Sequence, residues 1–310
     1  MIEDWRKALD NKCVVGAVSM GLSKGFDMIP LDFLLAKRAA YGVSPVSLPL
    51  LHSYLRDRSQ RVRIEDKTSD VAGFSKGVPQ GSVLGPLLFN IFHDYLFHFI
   101  NRANLSNYVD DNQIYFSDRD PEVVKSVING DLAVASRWFD DNKLVLNPEK
   151  CKCIILPKSY PWDLSFSISD VQVPAVDYLE LLGVTIVNSL NFSKHIGNIT
   201  KKVGNQLDVL RRLKNTLSVS SKMCLYNSYV MSHFTGCSAI WHNCNESEKQ
   251  KLERLNVRAL RRFYNKRVPL HGDDHGLTPS NRRLQDIAIL VFKAVNGMLP
   301  GYKRLVRCAK

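Results

Sequence analysis

Tyr108-Val109-Asp110-Asp111 sets two adjacent carboxylates in a short polar turn between two strand-like runs, 105–109 and 113–116. Hard oxygen ligands of this kind suit a divalent cation. Two Mg2+ ions held ~4 Å apart can activate an attacking hydroxyl and stabilise a departing pyrophosphate. Upstream, Gly77-Val78-Pro79-Gln80-Gly81-Ser82-Val83-Leu84-Gly85-Pro86 is loop by its Gly and Pro content as far as Gly81 and enters a helix from Ser82. A side-chain-free glycine in such a loop lets backbone approach a ligand closely. By itself an Asp pair is also what a solvated turn carries, because Asp is a common turn residue. The Val-Pro-Gln-Gly loop upstream is what favours chemistry.

These residues need elements to hold them. After a short N-terminal lead, the β-branched run 13–20 reads as a buried strand. Leu31, Leu34, Leu35 and Ala39 then repeat at helical spacing, with Pro30 at a first-turn position and Gly42 at the stop. Residues 44–56 read as a second helical stretch, and 60–64 as a half-exposed strand with Arg61 and Arg63 outward. The apolar stretch 84–100 is broken by Asn90, His93 and Asp94 and reads as a buried amphipathic helix. The pattern predicts a helix over 121–138, a strand over 153–156, and further strands over 164–168, 171–173 and 178–186. Ile196, Ile199, Val203, Leu207, Leu210 and Leu213 step by three and four, leaving Lys201, Lys202, Arg211, Arg212 and Lys214 mostly off that stripe. Helices over 221–241, 247–264 and 281–296 follow.

Charge and cysteines bound the setting. The net charge of +12 is unevenly spread: from Asn191 onward 22 Lys and Arg face 7 Asp and Glu, a balance of +15, which leaves −3 for residues 1–190. A field of that sign attracts a polyanion, nucleic acid foremost, although a solvated helical surface carries the same charge. With 45% hydrophobic residues the chain can bury a core. It shows no secretory leader and no apolar run of membrane-spanning length. Seven irregularly spaced cysteines predict free thiols and an intracellular setting.

In their order along the chain, five motifs resemble the reverse transcriptase of non-LTR (LINE-type, jockey-like) retrotransposons. Val15-Gly16-Ala17-Val18 through Leu22-Ser23-Lys24-Gly25-Phe26-Asp27 resembles the first palm motif, and residues 77–90 the second. Tyr108-Val109-Asp110-Asp111 resembles the third, Leu146-Asn147-Pro148-Glu149-Lys150-Cys151 the fourth, and Leu181-Leu182-Gly183-Val184-Thr185 the primer-grip hairpin. The resemblance implies an α/β (α+β) right-hand polymerase palm, an antiparallel sheet with packed helices, followed by an α-helical thumb-like region. Its implied boundaries are 1–189 for the palm, 190–268 for the basic thumb-like region and 269–310 for a helical tail. It implies RNA-directed DNA synthesis in the nucleus from an RNA template, a DNA primer and deoxynucleoside triphosphates, with Mg2+ or Mn2+. Asp110 would bind both metals and Asp111 would support the site. Phe26 would be a steric gate under the sugar, and Gln80 and Gly81 would lie against template and incoming nucleotide. Lys150 would protonate the leaving pyrophosphate, where its bland alternative is an exposed residue after a turn.

The chain departs from the family pattern where it matters most. The first motif normally opens with an aspartate that bridges both metals, and here that residue is Gly21. Asp27 lies ~20 Å further along an extended chain and does not stand in for it. If the lost carboxylate is worth ~4 kcal/mol, chemistry slows roughly a thousandfold. Gly25 replaces the usual Ala beside the gate and is expected to loosen the turn. With the first palm strand beginning near residue 14, the expectation is a truncated copy of a mobile element, short of the family's upstream fingers and endonuclease domain. The competing expectation is a catalytically dead palm and thumb remnant that still binds nucleic acid. Two other clusters tempt a metal reading. His233, Cys237, His242 and Cys244 fit no common zinc spacing and suit packing; His271, Asp273, Asp274 and His275 sit in a connector bracketed by Gly272 and Gly276.

Overall fold

The computed structural model describes residues 1–298 apart from 43, 45, 159–163, 214, 243 and 265–277. The loop with His271, Asp273, Asp274 and His275 lies outside the described residues, as does Lys214. The chain divides into two compact units, Met1–Leu179 and Glu180–Lys310.

The first unit is built on a four-stranded antiparallel sheet, the architecture expected of an α/β palm. Helix α1 (Ile2–Asp10) leads into β1 (Val14–Met20), followed by α2 (Leu31–Ala40) and α3 (Gly85–His93). Then come β2 (Asn104–Tyr108), β3 (Asp111–Asp118), α4 (Pro121–Asp141) and β4 (Lys152–Leu156). The strand order is β2-β3-β1-β4. β1 is central and almost wholly buried, which is why its sequence is a continuous apolar run rather than an alternating one. α4 starts at Pro121, its N-cap Asp120 accepting from the Glu122 N–H, and it buries Val124, Val127, Ile128 and Leu132 against the sheet.

Three expectations for this unit need correction. The lead before residue 13 is a helix, α1, whose Trp5 is buried edge-on against Tyr115 with ring centroids 6.1 Å apart. The strand over 60–64 is two separate two-residue pieces, Ser59–Gln60 pairing with Ala72–Gly73 and Arg63–Ile64 with Lys67–Thr68, all exposed. A ribbon that buries no face has nothing to hold its register. The helix over 84–100 stops at His93 and tightens into a 3₁₀ turn, Asp94–His98.

Lys37 on α2 carries its ammonium into an aromatic enclosure, 4.0 Å from the Phe92 ring centre and 4.8 Å from that of Trp138. It donates to the Phe92 carbonyl at 2.9 Å and to Asn142 Oδ1 at 2.7 Å. Loss of water outweighs these partners and pushes its pKa down to about 8. The unfolded chain therefore binds the extra proton between pH 8 and the ordinary lysine value of 10.5. Stability is expected to rise with pH across that window. Urea denaturation at pH 8 and pH 10 should show this rise in the parent and not in Lys37→Met; equal pH slopes in both would refute it.

Next along the chain comes a hairpin, β5 (Tyr178–Leu181) and β6 (Val184–Val187), so the strand expected over 178–186 is in fact two. The reason is its two-residue turn: Leu182 at φ 48° and Gly183 at φ 80° are both left-handed, a pairing that favours a tight reversal. Helix α5 (Ser193–Leu213) buries Ile196, Ile199, Val203, Leu207 and Leu210, as the stripe predicts, while Leu213 at its end is exposed. Helices α6 (Glu246–Tyr264) and α7 (Pro279–Val295) complete the second unit. The single helix expected over 221–241 is broken. Val219–Tyr226 passes into a wide π turn, Asn227–Met231, then Ser232–Thr235, and restarts as Ser238–Trp241 after Gly236 and the left-handed Cys237. Glycine is a weak helix interior residue, and the carbonyl it frees accepts from Trp241 Nε1 at 2.9 Å.

Candidate active site

The carboxylate tip is positioned by strand register. Tyr108 pairs with Asp111, leaving Val109 and Asp110 as the two-residue turn of the β2–β3 hairpin. β3 pairs antiparallel with β1 so that Asn112 faces Met20. The tip therefore lies beside the point where β1 ends and Gly21 begins. Both carboxylates are exposed. Protein packed beside Asp111, and then the like charge of Asp110, raise the Asp111 carboxyl pKa above its usual value.

An amide network holds the tip from below. Asn107 Nδ2 donates to the Val109 carbonyl at 2.9 Å and to Asn112 Oδ1 at 2.6 Å, and lies 3.2 Å from His93 Nδ1. Asn112 Nδ2 donates to the Asp110 carbonyl at 3.1 Å. His93 is fully buried; burial, and then the charge of Lys37, push its pKa down to about 4, so the imidazole is neutral. Entry to β2 is held by buried Asp131 of α4, which accepts the backbone N–H groups of Asn101, Arg102 and Ala103 at 3.1, 3.0 and 2.7 Å. Sequence reasoning singled out none of Asn107, Asn112, His93 or Asp131 for this task; the Asn-rich flanks of the Asp pair were the only signal.

At position 21 the chain is crowded rather than open. Leu22 bridges antiparallel to Leu146, and the Asn147 N–H donates to the Gly21 carbonyl at 2.9 Å. A Cβ at residue 21 would lie 2.5 Å from Lys150 Cβ. Among the described residues no group of three or more His, Cys, Asp or Glu is placed to hold a metal ion. Asp110 and Asp111 offer hard oxygens, yet with neither carboxylate nor space at residue 21 the residues present do not fit a pair of Mg2+ ions. Lys150 ends a 3₁₀ turn, Pro148–Lys150, and its Nζ donates to the Leu22 carbonyl at 3.4 Å.

The remaining singled-out residues meet around the first-motif turn of the same unit. The loop after residue 76 is stitched to the first-motif turn: Gly77 N–H donates to the Ile29 carbonyl at 2.8 Å and Val78 N–H to the Phe26 carbonyl at 2.9 Å. Gln80 Nε2 donates to Asp27 Oδ1 at 2.8 Å. Phe26 is half-buried on Phe89, ring centres 4.8 Å apart. Gly81 adopts φ 78° with open space where a Cβ would be. Gly25 does not loosen the turn: it is buried, and a Cβ there would meet Phe89 and Leu22 at 3.2 and 3.3 Å, so the missing side chain is filled by neighbours. Asp27 and Gln80 open onto a cavity of about 760 Å³ whose wall includes Lys24, Arg58 and Lys76, three cations that the motif reading passed over.

In the second unit, β5–β6, α5 and residues 232–237 enclose a cavity of about 630 Å³. Thr185 N–H donates to His195 Nδ1 at 3.3 Å and Asn198 Nδ2 to Thr185 Oγ1 at 3.1 Å. Burial, and then Lys202, lower the His195 pKa. Lys201 and Lys202 line the same cavity. His233 lies 3.0 Å from Gln206 through Nε2, and Cys244 is buried. The described cysteines are free thiols, and no described helix is long and apolar enough to cross a membrane.

Known proteins share this pattern. Residues 2–186 match the family model described as reverse transcriptase (RNA-dependent DNA polymerase). The chain is 27% identical over 284 residues to a protein named probable RNA-directed DNA polymerase from transposon BS of Drosophila melanogaster, covering 86% of this chain and 31% of that protein. It is 24% identical over 268 residues to the RNA-directed DNA polymerase from mobile element jockey of the same organism, covering 83% and 29%. The chain thus spans about three-tenths of the length of these relatives. A telomerase from Candida tropicalis, solved with a fragment of telomeric RNA, aligns at 14% identity over 97% of this chain and 50% of that one, with a TM-score of 0.47. With a family model spanning well over half of its residues, the chain belongs to the reverse transcriptase (RNA-dependent DNA polymerase) family, of the kind carried by non-LTR retrotransposons.

Proposed function

We propose that the chain is the palm and following basic helical portion of an RNA-directed DNA polymerase of a non-LTR retrotransposon, in which nucleotidyl transfer is impaired. It binds an RNA template, a DNA primer and deoxynucleoside triphosphates in the nucleus. In this reading Asp110 and Asp111 face the reacting phosphate, Phe26 lies under the sugar, and Gln80 and Gly81 lie against template and nucleotide. The observation that supports it most is the register that sets the Asp110-Asp111 tip beside a strand end bearing Gly21 in place of a carboxylate. Basic residues along α5, among them exposed Lys201, Lys202, Arg211 and Arg212, suit a phosphate backbone, and binding to it weakens with salt.

Primer extension on an RNA template with Mg2+ or Mn2+ tests the reading. Extension is expected roughly a thousandfold below that of a carboxylate-complete relative, and Asp110→Ala should abolish what remains. RNA or DNA binding should fall steeply with salt in both chains. A second reading, a dead nucleic-acid-binding remnant, is favoured by the crowding at residue 21; it predicts binding with no extension above the Asp110→Ala background. Absence of both binding and extension would overturn both.

A further inference from the structure

We propose that Asp27 is a positioning residue: it takes the nitrogen end of the Gln80 amide and so turns Gln80 Oε1 out as a fixed acceptor for a sugar hydroxyl carried next to a phosphate. Lys24, Arg58 and Lys76, on the wall of the same cavity, take that phosphate. This deepens the reading above and rests on it, for there Gln80 lies against template and nucleotide and Asp27 has no part.

Backbone brings the pair together before any side chain does. The Gly77 N–H donates to the Ile29 carbonyl at 2.8 Å and the Val78 N–H to the Phe26 carbonyl at 2.9 Å, which lays one loop along the other on both sides of Asp27. The fit is close enough that a Cβ on Gly77 would sit 2.9 Å from Asp27 Cα. Beyond Gln80 the loop is closed again, Ser82 Oγ donating to the Pro79 carbonyl at 2.7 Å and accepting the Gly85 N–H at 3.0 Å. Gln80 stands between these two fastenings, and its Nε2 donates to Asp27 Oδ1 at 2.8 Å. That bond has one polarity. A carboxylate only accepts, so the amide must offer its nitrogen, and Oε1 is left as the acceptor that a ligand meets. An acceptor oxygen set among cations selects a group that donates a hydrogen bond beside a negative charge. In nucleic acid a sugar hydroxyl answers that description: the 2′-hydroxyl of an RNA strand, or the 3′-hydroxyl of a nucleoside triphosphate.

Ligand preference of the full chain tests this, each probe being paired with a form that lacks the hydroxyl. An RNA template annealed to a DNA primer is compared with the same duplex carrying a 2′-fluoro template, which keeps the helix form and donates nothing. A deoxynucleoside triphosphate is compared with its 2′,3′-dideoxy form. In one of the two pairs the parent should bind the hydroxyl form about fivefold tighter, as one hydrogen bond allows, and that pair identifies where the hydroxyl comes from. Asp27→Ala should bring the ratio close to unity while binding the hydroxyl-free form no worse, since a negative charge beside the cations is gone. Gln80→Glu alone should also lose the preference, because two carboxylates repel at that distance. Gln80→Glu combined with Asp27→Asn exchanges donor and acceptor and should restore the ratio to within about twofold of the parent. Both positions are exposed, so the core is left untouched. An effect of net charge alone does not move the ratio, and a role in folding alone is not rescued by the exchange. A ratio near unity in both pairs, a preference that survives Asp27→Ala, or an exchange no better than Gln80→Glu overturns the proposal. Binding without preference overturns it alone; a parent that binds neither duplex nor nucleotide overturns the polymerase reading as well.

Discussion

Asp131→Ala is expected to lower stability by about 3 kcal/mol, since three N–H groups each lose an acceptor worth roughly 1 kcal/mol. The Asp131 carboxylate is buried and accepts three successive N–H groups, those of Asn101, Arg102 and Ala103. Without it three donors at a partly buried turn lose their shared acceptor. Asparagine keeps one acceptor oxygen, so Asp131→Asn should lose roughly half as much. Urea unfolding followed by tryptophan fluorescence reads both, since Trp138 lies on the same helix. A loss under about 1 kcal/mol for the alanine variant would show that those N–H groups find water instead. Because β2 carries the chain into the Asp110-Asp111 turn, amide exchange at residues 101–108 should accelerate with the loss.

Gly77→Ala should be nearly as costly. Gly77 adopts φ 91°, where an L side chain is strained, and its Cβ would sit 2.9 Å from both Cα and carbonyl oxygen of Asp27. Neither is a flexible side-chain end, so the loop must retreat from the first-motif turn and the 2.8 Å bond from Gly77 N–H to the Ile29 carbonyl must stretch. Strain and overpacking together predict a loss of about 3 kcal/mol. Binding of a template-primer duplex should also weaken, because Gln80 would lose its place against Asp27. Unfolding midpoint and duplex affinity both unchanged in the variant would contradict the tight-stitch account.

What the sequence disclosed was whatever depends on local period and composition. β1 and α4 declare themselves through a buried apolar run and a 3.6-residue stripe begun by proline, and the Asp pair stands out because strand-like runs flank it. Contacts set by distant register were not legible. That Gly21 meets Lys150 follows from the zipping of residues 21–23 to 145–147, which no short window contains. Asp131 looks like any acid on a helix until the residues it binds are known. α1 was missed because its only strong marker, Trp5, acquires meaning through Tyr115, more than a hundred residues away. The π turn at Asn227–Met231 left no sequence mark at all.

Val109 stands at φ 57°, an unfavourable conformation for a β-branched residue. Two asparagine side chains, bound to the carbonyls on either side of its following peptide, keep it there, and a neutral buried imidazole backs the first of them. The shape of the acidic loop is thus dictated from the protein interior before any ion or nucleotide arrives. Its two acids are thus presented in a sprung, ready-made pose that persists for as long as the asparagines beneath it are retained.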